Sequence, residues 1–130
     1  MKQHTTNYTN AFIEVAEDCP ATTSRRPPEK DPKTAAQIQY EMLISAPYRF
    51  SSDDVVYESD GKRKGISREE FFSKGQPCLR SSALGKRYGW GIHSDDTGKV
   101  ALYAVDSEDY QRLAADETIK HIKAMQSSKK

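Results

Sequence analysis

Apolar and polar residues alternate in two stretches of this chain. Elsewhere the apolar positions recur mostly at helical spacing. Phe12-Ile13-Glu14-Val15-Ala16 alternates as a strand, with Phe12 and Glu14 on one face and Ile13 and Val15 on the other. The second stretch is YGWGIHSDDTGKVALYAV, residues 88–105. Its two β-rich runs flank Asp95-Asp96-Thr97-Gly98, which predicts a hairpin with Gly98 in the left-handed position. With residues 95–98 as the loop, Trp90 falls opposite Tyr103 and His93 opposite Val100. Trp90 and Ile92 then share one face, and Gly91 and His93 the other.

Between these strands the spacing is helical. Ala35, Ile38, Met42 and Ala46 form a stripe that Leu43 widens, and Pro47 ends it. The cap is Asp31 with Pro32 in the first turn, or Thr34 with Gln37. Ser51 to Tyr57 reads two ways. Ser52 before two acids suits a helix start, whereas Val55-Val56-Tyr57 alone suits a strand. The helix is preferred, ending before Gly65. Ser67-Arg68-Glu69-Glu70 opens a short helix through Phe71 and Phe72. Asp106-Ser107 caps another through Tyr110 and Leu113. A last helix is expected over Glu117 to Met125, from the spacing of Ile119, Ile122 and Met125. The fold class is therefore α+β: a small antiparallel sheet with strands near 11–16 and 89–105, packed with four or five short helices.

Length makes this one domain, residues 1–130, with loose ends at 1–6 and 126–130 and a Pro-rich loop at 19–33. Leu, Ile, Val and Phe total 21 of 130 residues, so the core is thin and would gain from self-association into a homo-oligomer. No apolar run approaches the ~20 residues a bilayer needs, which rules out a transmembrane helix, and no membrane partner is expected. The two cysteines are too sparse for a disulfide scaffold, and no signal peptide precedes them. A cytoplasmic protein with reduced thiols is the expectation.

The net charge is +1, but residues 62–87 carry 8 basic and 2 acidic side chains. This basic segment runs into Gly89-Trp90-Gly91. A phosphate-binding P-loop is excluded, because Arg87 follows Gly85-Lys86 and Arg80 stands where the first Gly is needed. The dinucleotide fingerprint fails too, with Ser94 in place of the third Gly. His4, His93 and His121 are scattered, so neither a metal nor a cofactor is expected.

What remains is a run from Cys78 to His93. Arg80 and Arg87 offer planar forks for carboxylate or phosphate, Trp90 a face for stacking, and His93 a group titrating near neutrality. Each also has a structural reading: Trp90 as core, His93 as a half-exposed strand residue, Cys78 as a small buried hydrophobe. The glycines beside Trp90 would let a ligand approach the backbone or simply fit a bend.

Four stretches carry a resemblance: HTTNY (4–8), FIEVAEDCP (12–20), FFSKGQPCLR (71–80) and KRYGWGIHSDDTGKVALY (86–103), and together with SSDDVVYE (51–58) they span nearly the whole chain. With them the whole chain resembles a family of short bacterial proteins classed as a domain of unknown function. The resemblance implies no reaction, substrate or cofactor. The leading expectation is binding of an anionic small molecule by Arg80, Arg87, Trp90 and His93. The alternatives are an enzyme using Cys78 as thiolate with His93 as base, or a protein- or nucleic-acid-interaction module using segment 62–87. The near-zero net charge disfavours nucleic acid.

Overall fold

The computed structural model describes residues 4–126. Four strands form one sheet in the order β3-β2-β1-β4: β1 Ala11–Glu14, β2 Trp90–Ser94, β3 Val100–Ala104 and β4 Lys120–Lys123. β1 pairs antiparallel with β2, and β2 with β3, but β4 runs parallel to β1, so the sheet is mixed. Five α-helices surround it: α1 Ala35–Ser45, α2 Ser52–Val56, α3 Arg68–Phe71, α4 Ala83–Lys86 and α5 Glu108–Ala114. The α+β class holds.

β4 corrects the expected helix over Glu117 to Met125. A helix of that length is marginal without a packed face, and β1 offers a free edge. The Asp116 carboxylate accepts from the backbone N–H and the hydroxyl of Thr118, turning the chain toward that edge. Lys120 N–H then donates to Asn10 O, and Ala124 N–H to Glu14 O. Ile122 packs against the core while Met125 is exposed.

The hairpin forms one residue out of the expected register. Trp90 pairs with Ala104 and His93 with Ala101. The loop has five residues, because the Asp95 carboxylate captures the backbone N–H groups of Thr97 and Lys99. Lys99 also bridges to Ser51 on its other side. Gly98 has φ +84°, as the turn requires. Alternation along β2 is unaffected by the slip.

One sheet face, with Ile13, Ile92 and Val100, meets Leu43, Val55, Val56, Phe71, Phe72 and Leu79 in the core. The other buries Phe12 under Tyr110 of α5, their rings edge-on at 5.0 Å. The Tyr110 hydroxyl accepts from Val15 N–H at 3.0 Å and fixes α5 in place.

Thr34, not Asp31, caps α1, accepting from Gln37 N–H. The buried residues of α1 are Gln37, Gln39 and Leu43, while Ala35, Ile38, Met42 and Ala46 stay half-buried. The helix is rotated toward Gln39, whose side-chain amide donates to Ser59 and accepts from Ser82. This buried polar chain outweighs the apolar stripe, since each of its groups would otherwise lose a hydrogen bond. The segment from Ser52 is helical as preferred. It starts with a Ser51–Asp54 capping box and widens into a π-helix over Tyr57–Gly61.

Residues 1–3 and 127–130 of the ends expected to be loose lie outside the described residues. Within the rest, Thr5 and Thr6 are tied down. The buried Asp53 carboxylate accepts from Thr5 Oγ1 at 2.7 Å, Thr6 N–H at 2.6 Å and Thr6 Oγ1 at 2.8 Å. Asp53 N–H in turn donates to the Asn7 side chain. The HTTNY and SSDD stretches are therefore two halves of one clasp. Asp53→Ala strands these donors and is expected to cost about 2 kcal/mol. A urea midpoint unchanged from wild type would contradict this.

Candidate functional site

The Pro-rich loop crosses the start of β2 and is stitched there. Arg25 N–H donates to Tyr88 O at 2.8 Å, the Trp90 indole Nε1–H donates to Arg25 O at 2.8 Å, and Ser24 N–H donates to Asp106. Gly89, at φ +79°, lets the loop lie close; a Cβ there would stand 2.8 Å from Thr23 O. Between loop and strand lies a cavity of about 310 Å³, lined by Pro20, Ala21, Arg25, Arg87 and Tyr88. Arg25 and Arg87 are exposed, and the ion pairs among the described residues include neither. Each of these guanidiniums offers a planar fork of donors.

Trp90 is neither core nor a free platform. It is half-buried, 5.5 Å from the Tyr40 ring, and its indole N–H holds the Arg25 backbone. Its neighbouring glycines serve the protein's own packing. Gly89 admits the loop, and a Cβ at Gly91 would strike the Phe12 and Tyr110 rings at 2.7 Å.

The expected constellation is dispersed. Arg80 lies outside the groove: its Nε–H donates to Lys123 O at 2.8 Å, covering the outer edge of β4. His93 faces the sheet side opposite Trp90. Its Nδ1 lies 2.8 Å from the Tyr48 hydroxyl, which is 2.5 Å from the Tyr103 hydroxyl. Burial lowers the His93 pKa, and burial together with the Tyr103 hydrogen bond raises that of Tyr48. Tyr48 has φ +59°, a conformation a tyrosine rarely adopts. The hydroxyl contacts and Tyr48 N–H to Val100 O hold it there.

His121 shares that face, one strand beyond Phe12. The Asp116 carbonyl on Nε2 raises its pKa, aided by Glu14 at 3.1 Å. The two histidines should therefore titrate on opposite sides of the ordinary value of about 6.5. For His93 the unfolded chain takes the proton first, so stability falls as pH drops through about 6.5 toward its folded pKa. For His121 the stabilisation is present below about 6.5 and is lost as pH rises through its folded pKa. Imidazole NMR titration reads both midpoints; equal midpoints, or the reverse order, would contradict these environments.

Cys78 lines a second cavity of about 310 Å³ with Ser59, Asp60 and Ser81. Its thiol is 3.7 Å from the Tyr8 hydroxyl, and this contact raises the Tyr8 pKa. Among the described residues neither an imidazole nor a cation lines this cavity, so Cys78 and His93 are not brought together. Cys19 is half-buried, its thiol directed at Ala21 O at 3.8 Å.

Three cations of the basic segment are paired with carboxylates. Lys62 pairs with Glu58 and Lys64 with Asp60, four residues apart, and Arg68 pairs with Asp54. Among the described residues no three His, Cys, Asp or Glu are placed to hold a metal. No helix among them is long and apolar enough to cross a membrane. Sequence reasoning singled out Arg87 but passed over Arg25. The signal for Arg25 was an arginine pair inside a long loop rich in proline.

Fold and site together define a small α+β domain with a mixed four-stranded sheet and two cavities beside it. Residues 3–130 match the family of unknown function DUF6157, and the chain belongs to that family. Neither curated proteins nor solved structures give a match.

Proposed function

We propose that this domain binds a small anionic molecule in the groove between the Pro-rich loop and the turn from α4 to β2. The carrying observation is the pair Arg25 and Arg87. They come from different segments, line one cavity, and have no carboxylate partner among the described residues. The guanidiniums hold a phosphate or carboxylate group. Tyr88, Pro20 and Ala21 supply apolar wall, so the ligand carries an apolar or ring portion beside its charge. Trp90 is a positioning residue: through the Arg25 carbonyl it fixes the backbone that carries one guanidinium.

The test is calorimetric titration with phosphate, a sugar phosphate, a nucleotide and a dicarboxylate at low salt. At least one should bind with a dissociation constant at or below about 1 mM, weakening as salt screens the guanidiniums. No heat of binding from any of them would overturn the proposal.

A further inference from the structure

The Cys78 cavity differs from the arginine groove in the sign of its charge. Ala35, Ala36, Ala83, Val56 and Leu79 form the apolar part of its lining. Among the described residues its one charged lining residue is Asp60, a carboxylate. The neutral polar side chains that also line it are committed to one another and to the backbone: the Gln39 amide bridges Ser59 and Ser82, and the Ser59 hydroxyl donates to Val55 O. They shape the cavity, and the Asp60 carboxylate is left as its strongest acceptor.

Asp60 belongs to the π-helix Tyr57–Gly61, with Ser59 beside it on the same cavity wall. Short π-helical turns are rare and occur often at functional sites. Asp60 is also incompletely committed. Its Oδ1 meets the Lys64 ammonium at 3.1 Å, but that lysine side chain is 62% exposed. A pair so open to water is weak and easily exchanged.

We infer that this cavity is a second ligand site, independent of the arginine groove, and that it takes a small primary ammonium with a short apolar body. The ammonium replaces Lys64 at Asp60, and the alkyl part lies along the alanine and leucine walls. Cys78 borders the cavity and serves as a reporter of occupancy, with no covalent step implied.

The experiment is iodoacetamide alkylation of the intact protein, followed separately at Cys78 and Cys19 by peptide mass spectrometry. The probes are n-propylammonium and n-butylammonium, with 1-propanol and propionate as controls at equal concentration and ionic strength. The ammonium probes should slow alkylation of Cys78 at least threefold and leave Cys19 unchanged. Asp60→Asn should remove the protection. Lys64→Ala should lower the concentration needed for it at least twofold, because it removes the competing cation, whereas a merely structural Asp60–Lys64 pair predicts no such gain. Equal slowing by propanol or propionate, no slowing by either ammonium, or weaker protection in Lys64→Ala would each overturn the inference.

Discussion

Replacing Arg25 and Arg87 together by alanine is expected to weaken anion binding by more than about 100-fold while leaving the melting temperature within a degree or two of wild type. Hydrogen bonds to a charged partner contribute roughly 1.5–3 kcal/mol each. Losing two guanidiniums therefore removes about 3 kcal/mol or more, and each 1.4 kcal/mol is tenfold in affinity. The fold should be indifferent. Both side chains are exposed and neither takes part in an ion pair among the described residues. Arg80→Ala is the matched control, since that guanidinium lies on β4 outside the groove. A double variant that binds within threefold of wild type would place the anion elsewhere.

Gly89→Ala is expected to lose about 3 kcal/mol of stability and anion affinity with it. A left-handed backbone costs an L-residue roughly 1–2 kcal/mol, and overpacking adds about 1–3 kcal/mol. Both apply, because φ is +79° and the new methyl would sit 2.8 Å from the Thr23 carbonyl oxygen. Relief requires the loop to lift, which carries Arg25 away from Arg87. Gly65→Ala separates the two causes: φ is +71° there, but nothing lies within 4 Å of the added Cβ. It should show the smaller, conformational loss alone and leave anion binding intact. Equal thermal shifts for the two variants would mean that the loop is not packed on Gly89.

The local elements were legible where one side chain settles the backbone. Ser67 and Ser107 cap the helices they were expected to cap, each accepting from an N–H three residues on. The turn glycine at 98 takes its left-handed conformation. Elements decided by a distant partner were not legible. Ile119, Ile122 and Met125 have helical spacing, but the free edge of β1 takes the segment as a strand. Gln39 is not part of the apolar stripe of α1, but two serines distant in sequence make it a buried link.

The same division holds for the sites. Arg87 was visible as a cation beside Gly-Trp-Gly, whereas Arg25 reaches it only through a loop pinned by Tyr88 and Trp90. Cys78 and His93 lie close in sequence, but strand alternation sends His93 to the sheet face away from the helices of the core. The family stretches HTTNY and SSDD read as a fingerprint, and their contact through Asp53 is structural. Only the folded chain brings Thr6 to a residue 47 positions away.

The chain has a single tryptophan, so its spectrum holds one indole N–H resonance, and that group donates to Arg25 O at the rim of the groove. The most direct test follows this resonance, with the Nε–H signals of Arg25 and Arg87, in ¹H–¹⁵N spectra as the tightest-binding anion is added. The account predicts that all three shift together and saturate at the calorimetric dissociation constant, while the Arg80 and His121 signals stay in place. Saturable binding that leaves the indole and both arginine signals unmoved would contradict it.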